Sequence, residues 1–255
     1  MPSTPQASPR QSYWNLSRSP RYSLTFALPL LAMYEVLALA VNQGEGLGIR
    51  NGADVLLRTV AATIFGAWGP PLFGAAVALI LLALAVRDSR RSGAGIRPRF
   101  YVLMLLESAV LALAFGVIVG LITAQLLNAF PLAIGQAKDA AATSWPVMLM
   151  VSLGAGVYEE LVFRVLLVSG LLFVARTLFG WGNAAATTFA VIAGALVFSA
   201  FHYIGAYGDP LELPSFMFRT VAGLAFSGLY VTRGFGITAW THALYDVFLL
   251  VARGS

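Results

Sequence analysis

The chain of 255 residues has no cysteine and few charged residues. The absence of cysteine excludes disulfides, thiol catalysis, iron–sulfur clusters and cysteine-ligated zinc. Only 11% of the residues are charged, whereas 59% are hydrophobic and the mean hydropathy is +0.81. A soluble domain of this length could not bury that much apolar surface, because much of any folded surface faces water. The composition therefore indicates a protein that lies in a lipid bilayer.

The sequence consists mainly of long apolar runs, with no segment that suggests a soluble domain and no internal repeat. Most runs are long enough to cross a hydrocarbon core of about 30 Å as a helix. We predict an all-α fold, a polytopic transmembrane helical bundle of about seven to eight spans. The predicted spans are residues 22–42, 69–86, 100–127, 146–175, 184–204, 214–232 and 236–252. The amphipathic stretch 53–68, which contains Arg58, is either an interfacial helix or an eighth, short span.

The positions of the arginines predict the orientation of the chain. Residues 1–21 are polar and contain arginine but no acid, which predicts a disordered basic cytoplasmic tail. Five arginines between residues 87 and 99 face a single acid, and the positive-inside rule places this loop in the cytoplasm as well. We assign residues 22–144 to N-terminal transmembrane helices and residues 145–252 to a C-terminal transmembrane core. The predicted location is the cell's inner or plasma membrane, with a cytoplasmic N-terminus.

The fourth predicted span contains three ionisable residues, Glu159, Glu160 and Arg164. One such group at the bilayer centre costs ~2.5–3.5 kcal/mol, while a Leu or Phe returns only ~0.3–0.6 kcal/mol. These side chains should therefore point into the bundle. Glu160 and Arg164 are four residues apart and can pair on one helix face, whereas Glu159 lies about 100° away and can transfer protons. A buried ion pair that only fixes helix packing is the alternative.

The only two histidines, His202 and His242, lie in the fifth and seventh predicted spans. His242 and Asp246 are four residues apart, so the carboxylate can fix the imidazole tautomer. A single buried histidine is more often structural than catalytic, but two histidines together with an acid favour a catalytic role. On these boundaries His202 lies near the outer end of its helix and His242 nearer the cytoplasmic end. They meet only if a boundary shifts, a helix tilts or the turn at residues 233–236 enters the bundle.

These residues form three motifs that resemble the CAAX protease and bacteriocin-processing family, which includes the type II CAAX prenyl endopeptidases. The motifs are Glu159-Glu160 with Arg164, Phe198 with His202, and His242 with Asp246. The resemblance covers roughly residues 145–252 and implies that this segment is the catalytic transmembrane core. Each motif is short, but three motifs in this order on separate spans are a specific signal. The resemblance implies an intramembrane endopeptidase that hydrolyses peptide bonds of membrane-associated substrates.

The resemblance also implies roles for the polar side chains. Glu159 would activate a water as general base, with His202 as its partner in proton transfer. His242 and the last motif residue would stabilise the oxyanion of the tetrahedral intermediate. That last residue is usually Asn in the family and is Asp246 here. An ionised Asp cannot donate a hydrogen bond, so Asp246 is protonated, orients His242 or binds a cation.

Arg164 would orient Glu160 or neutralise charge that develops during the reaction. We expect no cofactor, because the His-Glu-x-x-His pattern of common zinc proteases is absent. The alternative is a zinc ion held by Glu159, His202 and His242. The expected partners are the lipid bilayer and a membrane-associated peptide or protein substrate, and no nucleic acid.

Three other functions fit parts of the same pattern. A proton-coupled membrane transporter could use Glu159, Glu160 and His202 as a proton relay. Transporters usually consist of two similar halves, whereas here the unusual charges lie mainly in the C-terminal half. A sorting-type protease, or transpeptidase, would pass the cleaved protein to an acceptor. A non-enzymatic scaffold would not need all of these residues.

The orientation can be tested with reporter fusions. A fusion within residues 87–99 should give a cytoplasmic signal, because the five arginines there stay on the cytoplasmic side. A fusion within residues 208–212, which contain Asp209 and Glu212 but no base, should give the opposite signal and serves as the control. An extracytoplasmic signal from the first fusion would overturn the seven-span prediction.

Overall fold

The computed structural model describes residues 12–42, 48–93, 95–129, 144–205 and 208–254. Across these ranges the regular structure is entirely helical and contains no β-strand, which confirms the predicted all-α bundle. Five helical stretches are long and apolar enough to cross a membrane, by length and composition. The chain is therefore an integral membrane protein. The five stretches are Pro20–Asn42, Gly52–Ser92, Arg99–Ala129, Asn183–Phe201 and Phe235–Ala252.

Each of the seven predicted spans coincides with a helical segment. In chain order the described helices are α1 (Tyr13–Ser17), α2 (Pro20–Asn42), α3 (Gly52–Phe65), a 3-10 turn (Gly66–Trp68), α4 (Gly69–Ser92), α5 (Arg99–Ala129), α6 (Trp145–Gly154), a π-helix (Ala155–Val168), α7 (Ser169–Thr177), α8 (Asn183–Phe201), α9 (Leu213–Arg233) and α10 (Phe235–Gly254). α6, the π-helix and α7 follow one another without a break. α10 packs against α2, α5, α6, α9 and the π-helix, and is therefore the central helix of the bundle.

The amphipathic stretch 53–68 forms α3 and the 3-10 turn. α3 has 14 residues and is about 21 Å long at ~1.5 Å per residue, too short to cross the core alone. The chain reverses at Gly66, whose φ of 60° is a left-handed conformation that favours glycine. A Cβ at Gly69 would lie 2.2 Å from the Ala61 carbonyl oxygen. These two glycines allow α3 to fold back tightly against α4.

The prediction of a disordered tail is wrong for residues 12–21, which form α1 and the start of α2. Leu16 is buried in this segment. Arg233 donates to the Trp14 carbonyl oxygen over 3.0 Å, and its guanidinium lies 3.8 Å from the centre of the Trp14 ring. The sequence pattern missed this order because it depends on a partner more than 200 residues away. Residues 1–11 lie outside the described part of the chain.

Glu107, which stands alone in its predicted span, is paired at the end of the bundle where α1 lies. Arg233 donates from Nε to Oε1 over 2.5 Å and from Nη2 to Oε2 over 2.7 Å. The Tyr13 hydroxyl also donates to Oε2, over 2.5 Å. At the same end, the Arg21 backbone N–H donates to Asp88 over 3.2 Å. The two segments that we predict to be cytoplasmic therefore lie together.

A buried ionic network joins α2 and α3 at the other end of α2. Arg58 donates from Nη2 to Glu35 Oε1 over 2.6 Å and from Nε to Asp54 Oδ1 over 2.7 Å. Arg50 donates from Nη1 to Asp54 over 2.9 Å and to Glu35 over 3.2 Å. Two positive and two negative charges therefore balance one another in a largely buried network, in which the Glu35 side chain is 23% exposed. Glu35, which also stands alone in its predicted span, thus has two arginine partners.

Two tyrosines connect this network to the π-helix. Tyr34 donates to Asp54 over 2.7 Å, and Tyr158 donates to Glu35 over 2.6 Å. Their rings pack edge to face with centroids 5.2 Å apart. Both tyrosines are completely buried. Because Tyr158 immediately precedes Glu159, the ionic network fixes the backbone next to the predicted base.

Replacing Arg58 should destabilise the fold. Arg58→Met leaves Glu35 and Asp54 with one arginine between them, and breaking a buried ion pair costs ~3–5 kcal/mol. We expect a clearly lower midpoint of thermal unfolding in detergent. The control is Arg90→Met, since Arg90 is exposed on α4 and such changes cost ~0.5 kcal/mol or less. Equal midpoints for both variants would contradict a stabilising role of the network.

Candidate active site

The π-helix holds the three charged residues of the first motif. Segments of this kind are rare, usually span one turn and often occur at functional sites. The sequence pattern predicted an ordinary α-helix for Glu159, Glu160 and Arg164. A Cβ at Gly156 would lie 2.4 Å from the Ala239 carbonyl oxygen. This glycine therefore lets the backbone of α10 approach the π-helix directly, next to both glutamates.

Glu159 faces His202 across a short gap. Glu159 Oε2 lies 3.9 Å from His202 Nε2, and only 8% of Glu159 is exposed. His202 Nδ1 bonds to the Phe198 carbonyl oxygen over 2.9 Å. A carbonyl only accepts hydrogen bonds, so Nδ1 carries a proton. In the neutral imidazole, the lone pair of Nε2 then faces the carboxylate.

The two histidines come near each other, because both contact the ring of Phe198. α8 ends at Phe201, three residues before the boundary predicted from sequence. His202 therefore lies just past the end of α8, and its ring bonds back to the carbonyl of Phe198. Of the three possibilities, a shifted boundary is present, and it places His202 past the helix end rather than within the helix.

Glu160 is the acceptor for a second group of side chains. Its Oε1 accepts from His242 Nδ1 over 2.7 Å and lies 3.0 Å from Arg164 Nη1. The predicted ion pair between Glu160 and Arg164 is thus confirmed. On the other side of the ring, His242 Nε2 lies 3.8 Å from Asp246 Oδ2. His242 is therefore held between two carboxylates.

Two phenylalanines separate and support the polar groups. The Arg164 guanidinium lies 4.3 Å from the ring centroid of Phe198 and 5.3 Å from that of Phe226. Phe226 stacks on His242 with centroids 4.2 Å apart. Phe198 contacts His202 at 4.9 Å and His242 at 6.4 Å, edge-on in both cases. Both histidines thus contact the same aromatic ring.

Sequence reasoning missed Asn51, which contacts the predicted base. Its Nδ2 donates to Glu159 Oε1 over 2.8 Å, and the residue is 3% exposed. Its Oδ1 accepts from the Ala53 backbone N–H over 2.9 Å and caps α3. An Asn before a helix is a recognisable N-cap signal. That signal predicts where a helix begins, but not which distant residue the amide also contacts.

The acids and histidines form two groups, Glu159 with His202 and Glu160 with His242 and Asp246. Among the residues that the structure describes, no three of His, Asp and Glu are grouped so that they could hold one metal ion. The alternative zinc ligands Glu159, His202 and His242 are thus not gathered around one point. A separate cavity of about 360 Å³ contains none of the predicted site residues. It is lined by Ser169, Leu172, Phe173, Arg176 and Thr177.

One of three comparisons with known proteins finds a match. Residues 141–248 match the family described as type II CAAX prenyl endopeptidase Rce1-like. This segment contains all three motifs and is less than half of the chain. Neither the curated proteins nor the solved structures include a match. The match confirms the resemblance found from the motifs: residues 141–248 are similar to the type II CAAX prenyl endopeptidases, a family of membrane proteases.

Proposed function

We propose that this chain is an intramembrane glutamic endopeptidase that acts on membrane-associated protein substrates. The family match supports a CAAX-type protease and a substrate at the membrane. The observation that carries the glutamic mechanism is the facing pair of Glu159 Oε2 and His202 Nε2, 3.9 Å apart. One water can bridge such a gap by donating a hydrogen bond to each atom. That water would be the nucleophile.

In the first step, Glu159 takes a proton from this water while the water oxygen attacks the carbonyl carbon of the peptide bond. The C=O electron pair moves to oxygen and forms a tetrahedral oxyanion. The C–N bond then breaks, and the proton passes from Glu159, directly or through His202, to the leaving amine. Glu159 is ionised again at the end of the cycle. A positioned base of this kind contributes ~10²–10⁴-fold to the rate.

His242 would donate to the oxyanion from Nε2. Its Nδ1 is engaged by Glu160, so Nε2 carries a hydrogen only when the ring is an imidazolium. Glu160 at 2.7 Å and Asp246 at 3.8 Å supply negative charge that balances the imidazolium. This arrangement favours an orienting and charge-balancing role for Asp246. It also accounts for an acid where the family usually has Asn, because the donor is then the imidazolium.

Arg164 would keep the second glutamate in place rather than contact the substrate. It is 1% exposed, lies 3.0 Å from Glu160 and rests on the ring of Phe198. Because Glu160 is engaged by both Arg164 and His242, moving a proton through Glu160 would disturb two buried contacts. The geometry therefore favours catalysis by Glu159 over a transport relay through both glutamates.

The role of Glu159 can be tested by proteolysis in liposomes, with a library of membrane-anchored peptides as substrate. Glu159→Gln keeps the size of the side chain but removes the base, so cleavage should fall ~10²–10⁴-fold. His202→Ala should behave similarly. The double variant should lose little more than either single variant, because residues that act as one unit are not additive. Glu212→Gln, a change outside the site, is the matched control.

Each other outcome would indicate a different mechanism or function. Full cleavage by Glu159→Gln would rule out the glutamic mechanism. Loss of cleavage in a chelator, with rescue by zinc, would indicate a metalloprotease. No cleavage by the wild type together with pH-dependent flux would indicate a transporter. A product joined to an added amine would indicate transpeptidation.

The pair formed by Glu160 and Arg164 predicts a loss of stability. Arg164→Leu leaves Glu160 buried without its arginine, at a cost of ~3–5 kcal/mol. We expect a lower folded yield in size-exclusion chromatography and lower activity. Arg176→Leu, at the exposed end of α7, should fold normally. If Arg164→Leu also folds normally while Glu160→Gln does not, Arg164 does not hold Glu160 as described.

A further inference from the structure

We propose that Asn51 is a positioning residue that the N-terminal helices supply to the base Glu159. The inference rests on the proposed function, because it gives Asn51 a task only if Glu159 is the base. Asn51 lies between α2 and α3, outside the residues that match the protease family. Its contact with Glu159 spans 108 positions of sequence. The site would therefore be completed by a residue from the other half of the chain.

The hydrogen bond gives the two carboxylate oxygens of Glu159 different tasks. Asn51 Nδ2 donates to Oε1 over 2.8 Å, while Oε2 faces His202. A glutamate side chain rotates freely unless a partner fixes the plane of its carboxylate. His242, His202 and Arg164 all attract Glu159 electrostatically, from different directions. Without the amide of Asn51, the plane of the carboxylate would no longer be fixed, and Oε2 would not be held toward His202.

Asn51 is itself held in place by several contacts. Its backbone N–H donates to the Tyr34 hydroxyl over 3.3 Å, and Tyr34 donates onward to Asp54 in the ionic network. A Cβ at Gly154 would lie 2.8 Å from the Cβ of Asn51. This glycine therefore allows the loop to pack against the start of the π-helix. A donor fixed in this way is preorganised, as active-site supports must be.

The two polar atoms of the Asn51 amide have different partners, so their contributions to catalysis and to folding can be tested separately. Oδ1 caps α3 through the Ala53 backbone N–H, whereas Nδ2 contacts Glu159. Ser caps well but is too short to reach Glu159, whereas Ala removes both the capping oxygen and the donor. Asp is unsuitable, because it would place a second carboxylate beside Glu159. A residue that only caps α3 would thus tolerate Asn51→Ser, and a residue that positions Glu159 would not.

The experiment measures kcat and KM of the full-length protein in liposomes, with a cleaved membrane-anchored peptide, for Asn51→Ser and Asn51→Ala. We expect kcat to fall about 10–100-fold in both, the usual effect of a displaced catalytic group. KM should stay within about 2-fold, because binding and catalysis are affected separately. The midpoint of thermal unfolding of Asn51→Ser should stay near that of the wild type, because Ser retains the cap. In the Glu159→Gln background, Asn51→Ser should add almost nothing.

Asn42→Ser is the matched control, because the Asn42 amide donates to the carbonyls of Ala38 and Ile49 and not to Glu159. It should leave kcat unchanged. Wild-type kcat in both Asn51 variants, with Glu159→Gln inactive, would overturn the inference and leave the proposed function standing. Full activity in Asn51→Ser with an unstable Asn51→Ala would reduce Asn51 to a cap of α3, and an increase in KM alone would make it a substrate contact. Full activity in Glu159→Gln would instead overturn the proposed function.

Discussion

Ionisable side chains inside this bundle are shielded from water and depend on partners within the protein. Three groups among the described residues show how ion pairs offset the free-energy cost of burying a charged side chain. They are Glu35 and Asp54 with Arg50 and Arg58, Glu107 with Arg233, and Glu160 with Arg164 and His242. Glu159 differs, because its nearest donor is the neutral amide of Asn51 and its facing imidazole is 3.9 Å away. Among these buried carboxylates, Glu159 is therefore the one that is held by a hydrogen bond from a neutral group and that faces an imidazole across a gap.

The contrast between Glu159 and Glu160 comes from environment, since the two residues are chemically identical and adjacent. The π-helix directs Glu159 toward the start of α3 and the end of α8, and Glu160 toward α10. Glu159 contacts an amide and faces a histidine, whereas Glu160 contacts an arginine and a different histidine. Two acids with different surroundings can take different roles, one as a base and one as a fixed counter-charge.

The sequence predicted contacts that lie within one helix and missed most of those between helices. The pairing of Glu160 with Arg164 followed from a spacing of four residues, which places two side chains on one helix face. The contact between Asn51 and Glu159 has no such local signature, because it depends on how α3 packs against the π-helix. The order of residues 12–21 likewise depends on Arg233, far along the chain. Hydrophobic patterns predict where the membrane helices lie in the sequence, but they do not predict which helices pack against each other.

The contacts of Tyr158 and Glu159 with α2 and the start of α3 cross the boundary between the N-terminal helices and the segment that matches the family. Residues 141–248 match the protease family and contain all three motifs. Yet Tyr158 donates to Glu35, and Glu159 accepts from Asn51, so both residues depend on helices outside that segment. Removing those helices would take away the acceptor of buried Tyr158 and the buried donor of Glu159, which is costly away from water. We therefore infer that the N-terminal helices and the segment that matches the family fold as one unit.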